Sequence, residues 1–382
     1  MRVVIAGGGT GGHLFPGLAL AEELIARGPE HTVLFMGARG GIEEKIVPKH
    51  GFRLEALPSL KGGFLNLDGP RKAWRGCQGY LQARRALLGF GADVVVGLGG
   101  YASALPVLAA WGVEVPTVLL EQNVIPGKVT RRMARFADEI IVQFAESASR
   151  FKNVSTRIKH LGNPLRKKVL DAAAEATRRN TEVAAVPADP MVLVIGGSQG
   201  AKALNDIAVR VWPKLKQIVP NVRMVIVSGS EDEQRCFQAF AAAGGRGQVL
   251  GFTEAMEELY VHASVVLARS GATTLAEVAA FALPSVLIPY PHATDNHQAE
   301  NAKVFVERGA GWVMPQQNTE VDRLAQRLAD AILQPERRRK MAMAASSLAL
   351  PNAGAEIIER LTALSQKKTE GKLQEVGAST AA

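Results

Sequence analysis

Cysteine is scarce in this 382-residue chain. Cys77 and Cys236 stand far apart, so they build neither a disulfide framework nor a metal-ligand spacing. A reducing compartment is therefore the default. Aromatic residues make up only 5% of the chain. Zinc-finger, helix-turn-helix and RNA-binding aromatic signatures are all missing, so nucleic acid is not a predicted partner despite a net charge of +9. A membrane-spanning helix needs about 18 consecutive apolar residues, and no such run occurs. The stretch 102–113 is apolar but carries Pro106 and stops at Glu114, which reads as a buried helix. Residues 1–13 run from a strand into a glycine loop and lack the apolar core of a signal peptide. Clustered carboxylates are almost absent. Glu231, Asp232 and Glu233 form the one acidic triplet near a strand end, and they read as a helix start. Neither an essential metal nor a cofactor is predicted.

Strand and helix patterns alternate through the remainder. Short apolar runs at 2–6, 32–37, 93–97, 116–120 and 138–142 read as strands, with helical periodicity at 15–27, 73–88, 101–111 and 128–136. Runs this apolar are expected of parallel strands covered on both faces. Residues 171–190 interrupt the pattern as a helix and linker, and alternation resumes at 191–195, 222–227, 248–250, 265–268 and 285–288. The prediction is an α/β chain of two Rossmann-like doubly wound domains. The first covers 1–164 and is joined by a C-terminal helix at 350–364; the second covers 165–349; a tail at 365–382 is predicted to be disordered.

Four glycine-rich loops each follow a strand and open a helix. Gly7, Gly9 and Gly12 fit G-x-G-x-x-G, GLGGY lies at 97–101, GGSQGA at 196–201 and RSGATTLAE at 269–277. Glycines let backbone approach a ligand closely, and a helix N-terminus favours anions. The first loop alone would fit an NADP-binding oxidoreductase, with Arg39 after the second strand meeting a 2′-phosphate. Four loops in two domains fit a diphosphate-bearing donor better. Glu277, one turn into its helix, is suited to accept hydrogen bonds from two ribose hydroxyls, although a first-turn carboxylate also gains roughly 0.3–1 kcal/mol from the helix dipole.

The order and spacing of further segments are more specific. They are GGTGGH at 8–13, GLGGYAS at 97–103, EQN at 121–123, GNPLR at 162–166, GGSQGA, RSGATTLAE, and HATDNHQ at 292–298 with Asn301. With these segments the chain resembles the MurG glycosyltransferases from its first strand to about residue 364. The resemblance implies a GT-B fold, with the two domains facing a cleft. It implies inverting transfer of N-acetylglucosamine from UDP-GlcNAc to the carbon-4 hydroxyl of undecaprenyl-diphospho-MurNAc-pentapeptide (lipid I), giving lipid II. A diacylglycerol glycosyltransferase is the alternative within the same architecture. Carried over by position, Thr10, Gly11, Gly12, Asn123, Arg166, Ser198, Glu277 and Gln298 contact the donor. The loop Ala272, Thr273, Thr274, Leu275 and Ala276 joins them, and the backbone at Thr253 meets uracil. Leu120 stands where many members carry histidine, a departure on the acceptor side.

Inverting displacement needs a base for the acceptor hydroxyl. His13 is the candidate, since the positive helix end disfavours imidazolium and keeps the ring neutral. Glu121 is the alternative. Finally, residues 61–91 carry Lys61, Arg71, Lys72, Arg75, Arg84 and Arg85 against Asp68 alone. Trp74, Cys77 and Leu81 recur there at helical spacing, so the segment reads either as a core-facing helix or as a peripheral contact with an anionic membrane surface. The resemblance favours the latter, on the cytoplasmic face of the bacterial plasma membrane, with other cell-wall synthesis proteins as partners.

Overall fold

The computed structural model describes residues 1–59, 70–151, 154, 157–182, 186–197 and 200–380; side chains at 70–72 and 368–380 are outside the description. The chain divides into two compact units. Met1–Arg166 with Asn352–Ala382 forms the first, and Lys167–Pro351 forms the second.

The first unit holds a seven-stranded parallel sheet. Its strands are β1 (Arg2–Ala6), β2 (Thr32–Ala38), β3 (Arg53–Leu57), β4 (Val94–Gly97), β5 (Thr117–Glu121), β6 (Glu139–Val142) and β7 (Arg157–His160). They lie in the order β3-β2-β1-β4-β5-β6-β7. The second unit holds a six-stranded parallel sheet of β8 (Met191–Ile195), β9 (Arg223–Val227), β10 (Gly247–Leu250), β11 (Val265–Ala268), β12 (Ser285–Leu287) and β13 (Gly311–Val313). Its order is β10-β9-β8-β11-β12-β13. Both sheets are doubly wound, as the alternating pattern predicts.

Each sheet is built outward from an apolar central strand. Val3, Val4 and Ile5 of β1 lose all exposure, as do Val192, Leu193 and Val194 of β8. Burial of such side chains stabilises the fold by about 1.5–3 kcal/mol apiece. Helices cover both faces, which is why these runs show no polar alternation. In each unit the chain crosses from the third strand back past the first. The strand order therefore reverses between β1 and β4 and between β8 and β11, and ligand crevices form beyond the carboxyl ends of strands at such points.

Three strands escape sequence reading: β3, β7 and β13. All three are sheet edges. Edge strands are covered less completely, so RLEAL and RIKH keep polar residues and lack the continuous apolar signature. The final helix, Ala353–Thr380, packs Ile357, Ile358 and Leu361 into the first unit's core. Arg360 donates to both carboxylate oxygens of buried Glu139 at the start of β6. The helix also runs past residue 365, where the composition predicts disorder. That composition includes Lys, Glu, Gln and Ala, which are good helix formers, and no proline follows.

Candidate active site

In the first unit, the predicted residues collect at the β1/β4 reversal. The loop after β1 enters the helix Gly11–Ala26 with Thr10 as its extended N-cap residue. The Thr10 hydroxyl and His13 Nδ1 lie 3.0 Å apart. His13 is partly exposed and sits in the helix's first turn. Its ring lies against the loop after β4: a methyl on Gly99 would stand 3.4 Å from His13 Cδ2 and 3.2 Å from Thr130 Oγ1. Gly99 and Gly100 also have φ of +86° and +70°, a backbone that favours glycine. Thus the first glycine loop, through Gly8 and Gly9, and His13 meet the GLGGY segment, as separate motifs in sequence cannot reveal. Arg166 joins the same end, its guanidinium 5.9 Å from the ring centre of Phe15 in that helix.

Glu121 ends β5 and is almost fully buried. Its Oε1 accepts the Asn123 N–H at 3.0 Å and, more loosely, the Asn123 side-chain amide at 3.4 Å. Its Oε2 accepts the Gly127 N–H at 3.0 Å, and the Thr130 hydroxyl bonds it too. Burial pushes its pKa up, while these hydrogen bonds oppose the rise. A carboxylate so engaged is suited to shaping the 122–130 loop, which bears Asn123. Gln122 fastens this loop to its neighbour through Leu98 O at 3.4 Å.

In the second unit, Arg269 follows β11 with its guanidinium buried. It donates to Ile288 O at 2.9 Å, to Pro289 O at 3.2 Å and to the Gln316 side chain, and lies 5.6 Å from the Tyr290 ring centre. Burial lowers its pKa from the ordinary value, but an arginine in a carbonyl cage stays charged. It therefore ties the β11 loop to the β12 loop and leaves a fixed positive charge beneath both. Ser270 Oγ donates to Gln298 O at 2.7 Å. Fully buried Asn301 donates to Ser270 O at 3.1 Å. Gln298 in turn accepts the Tyr290 N–H at 2.8 Å through its side chain. Gln298 and Asn301 of the 292–301 segment thus brace RSGATTLAE at Ser270.

That loop enters the helix Ala272–Ala280, with Gly271 extended at its N-cap. Ala272, Thr273 and Thr274 form the first turn, where helix amides face outward. Leu275 is fully buried and its N–H donates to Gly271 O within the helix, and Ala276 follows one residue deeper. Glu277 is partly exposed, and its Oε2 accepts the Tyr260 hydroxyl at 2.8 Å. Tyr260 is buried, stacked on Phe281 with ring centres 5.0 Å apart. Burial first, then the Glu277 charge, drives the Tyr260 pKa well above its usual value, so the phenol remains a donor that orients the carboxylate. Thr253 lies after β10, its hydroxyl accepting the Ala255 N–H at 3.1 Å. Gly200, whose φ is +73°, packs closely on the loop after β9, where a methyl would overlap Ser228 O. Ser198 lies outside the described residues. The acidic triplet opens the helix Glu233–Ala242 with Asp232 as its N-cap residue, held by Arg235.

Sequence reasoning missed Glu43, Tyr260 and Tyr290. Tyr260 and Tyr290 are single residues without a motif. Glu43 had a signal, since Gly37, Gly40 and Gly41 crowd the few residues before it.

Residues 3–142 match the glycosyltransferase family 28 N-terminal domain, and residues 191–361 match its C-terminal domain. A protein of Geobacter sulfurreducens called UDP-N-acetylglucosamine--N-acetylmuramyl-(pentapeptide) pyrophosphoryl-undecaprenol N-acetylglucosamine transferase is 39% identical, over 96% of this chain and 100% of that protein. One of Anaeromyxobacter sp. strain K with the same name is 36% identical over 94% and 92%. Among solved structures, Acinetobacter baumannii MurG superimposes with a TM-score of 0.73 at 25% identity, covering 94% of this chain and 99% of that one. A Neisseria meningitidis UDP-GlcNAc 2-epimerase shares the fold, with a TM-score of 0.66 at 13% identity over 95% and 100%.

Proposed function

The chain belongs to the MurG family of glycosyltransferases, within glycosyltransferase family 28, and on that premise we propose how its residues divide the work. The reaction is transfer of N-acetylglucosamine from UDP-GlcNAc to N-acetylmuramyl-(pentapeptide) pyrophosphoryl-undecaprenol, the substrates in its relatives' name. The near full-length match to those relatives, over 96% of this chain, favours this over an NADP enzyme or a transferase with another acceptor. Arg39, the residue an NADP enzyme would use, instead reaches toward Ala56 O at 3.5 Å.

The oriented carboxylate of Glu277 is the observation that carries the nucleotide assignment. It holds the ribose hydroxyls, the amides of residues 272–274 and the loop 196–201 hold diphosphate, and Gln298 supports the donor sugar. Thr253 backbone meets the base. In the first unit, His13 takes the proton as the acceptor's carbon-4 oxygen bonds to the anomeric carbon. The bond to the UDP oxygen breaks in the same displacement, and helix N-termini and Arg166 receive the developing negative charge. Thr10, Gly11, Gly12 and Asn123 form the rest of this wall, and Glu121 shapes the loop that bears Asn123. Incubation with UDP-GlcNAc and a lipid I analogue tests the assignment: a disaccharide-linked lipid supports it, and release of any other product overturns it.

We further propose peripheral attachment to an anionic membrane through the first unit. Among the described residues no helix is long and apolar enough to cross a membrane. On the helix Pro70–Phe90, Ala83 and Leu87 are buried, while Trp74, Cys77, Leu81 and Leu88 face outward with Arg75, Arg84 and Arg85. Trp74 is 66% exposed, so the apolar stripe does not serve the core. An exposed apolar stripe flanked by cations suits an interface, where each cation near the surface contributes about 1 kcal/mol. Residues 61–69 and the side chains of Arg71 and Lys72 lie outside the description. Flotation with anionic vesicles is expected to carry the enzyme upward in low salt and less in high salt. Reversal of Arg71, Lys72 and Arg75 to glutamate should reduce flotation and spare UDP affinity; unchanged flotation would locate the attachment elsewhere.

A further inference from the structure

We propose that Glu43 is a positioning residue for the transfer reaction: its buried carboxylate clasps the first glycine loop and thereby sets where Thr10 and His13 stand. The inference rests on reading that loop as part of the transferase site, and extends it to a residue without exposed surface. Glu43 opens the helix Glu43–Lys49 and is 0% exposed. Burying a carboxylate is costly unless hydrogen bonds compensate. Here Oε1 accepts the Ala38 N–H at 2.8 Å and Oε2 accepts the Gly9 N–H at 3.0 Å. One carboxylate therefore bridges the carboxyl end of β2 to the loop after β1.

Three glycines make the space. A methyl on Gly8 would overlap Glu43 Cδ, one on Gly37 its Cγ, and one on Gly41 its Cδ. Gly8 comes from the loop after β1, Gly37 from the end of β2 and Gly41 from the turn after it, so the cavity is shaped around the carboxylate by all three. The Tyr101 ring bounds the loop as well, since a methyl on Gly9 would stand 3.2 Å from Tyr101 Cε1. Gly9 is left-handed, with φ of +82°. Thr10 follows it directly, and its hydroxyl lies 3.0 Å from His13 Nδ1. Control passes from Glu43 to Gly9, to Thr10 and to the ring of His13, over three consecutive links. With no surface of its own, Glu43 acts on the reaction through that loop.

A Glu43→Gln variant tests this. Its amide can accept from one N–H, but its nitrogen then opposes the other. Turnover is expected to fall about tenfold or more, with UDP affinity by calorimetry held within about twofold. In a His13→Ala background the same substitution should cost less than about twofold, because residues acting as a unit are not additive. Gly37→Ala, which displaces the carboxylate from the β2 side and leaves the loop sequence intact, should reproduce the pattern if Glu43→Gln does not fold. Folded variants with wild-type turnover, or an equal loss in both backgrounds, overturn the inference alone. A wild-type protein that makes no product from UDP-GlcNAc and the lipid analogue overturns the functional reading beneath it.

Discussion

Replacement of His13 by alanine is expected to lower turnover by about a hundredfold or more, since a positioned base commonly supplies 10²–10⁴. UDP affinity should stay near that of the wild type, because a proton acceptor acts in the transition state and makes no uniform contribution to binding. The structure adds two reasons to expect a clean effect. The imidazole lies against Gly99 and beside the Thr10 hydroxyl at the edge of the first unit's loop cluster, and is partly exposed, so its loss opens no core cavity. Glu121, the alternative base, is buried and has both carboxylate oxygens occupied by N–H groups of the 122–130 loop, so it is poorly placed to reach an acceptor hydroxyl. Steady-state rates with UDP-GlcNAc and a lipid I analogue, paired with calorimetry of UDP, decide the matter. A fall of less than about tenfold, or about 1.4 kcal/mol, would remove His13 as the general base.

Glu277→Ala should weaken UDP binding by about a hundredfold. A hydrogen bond to a charged group contributes about 1.5–3 kcal/mol, and two adjacent ribose hydroxyls lose theirs together. The fold should survive, as Glu277 is partly exposed on the helix Ala272–Ala280. The variant does leave the buried Tyr260 hydroxyl without the acceptor that holds it at 2.8 Å. Tyr260→Phe is the control for that: it keeps the carboxylate and removes only its orienting donor, so its effect on Kd should be several times smaller. Calorimetry on the folded variants gives both numbers. Unchanged affinity in Glu277→Ala takes Glu277 out of the nucleotide site.

Much of the candidate site was legible because its motifs are local. Each glycine loop joins the end of a buried strand to the start of a helix within a few residues, so VVIAGGGTGGH and VLVIGGSQG announce strand, turn and helix together. Glu277 was legible for the same reason, being tied to the turn that precedes it. Glu43, Tyr260 and Arg269 show what locality misses. The partners that define Glu43 are Gly9, 34 residues away, and Ala38 across the strand end. Tyr260 reads as one more apolar helix position until the fold brings Glu277 to its hydroxyl. Arg269 reads only as the first residue of RSGATTLAE, until folding encloses it among the carbonyls of Ile288 and Pro289.

The sequence by itself determined the alternation of apolar strands and amphipathic helices, the restart of that pattern at Met191, and the glycine loops that join strand ends to helix starts. All of these follow from periodicity and from the backbone freedom of glycine, properties of short stretches of chain. The tertiary structure alone decided the strand order, with β4 beside β1 and β11 beside β8. It thereby decided that His13 meets the Gly99 loop and that Arg166 joins Phe15. It also decided which face of the helix Pro70–Phe90 is covered: Ala83 and Leu87 go inward, while Trp74 and Leu81 stay out. Helical spacing marks an apolar stripe in either case. Whether another element packs on it depends on residues distant in the chain, such as Leu105, whose side chain would touch a methyl on Gly79 at 2.5 Å.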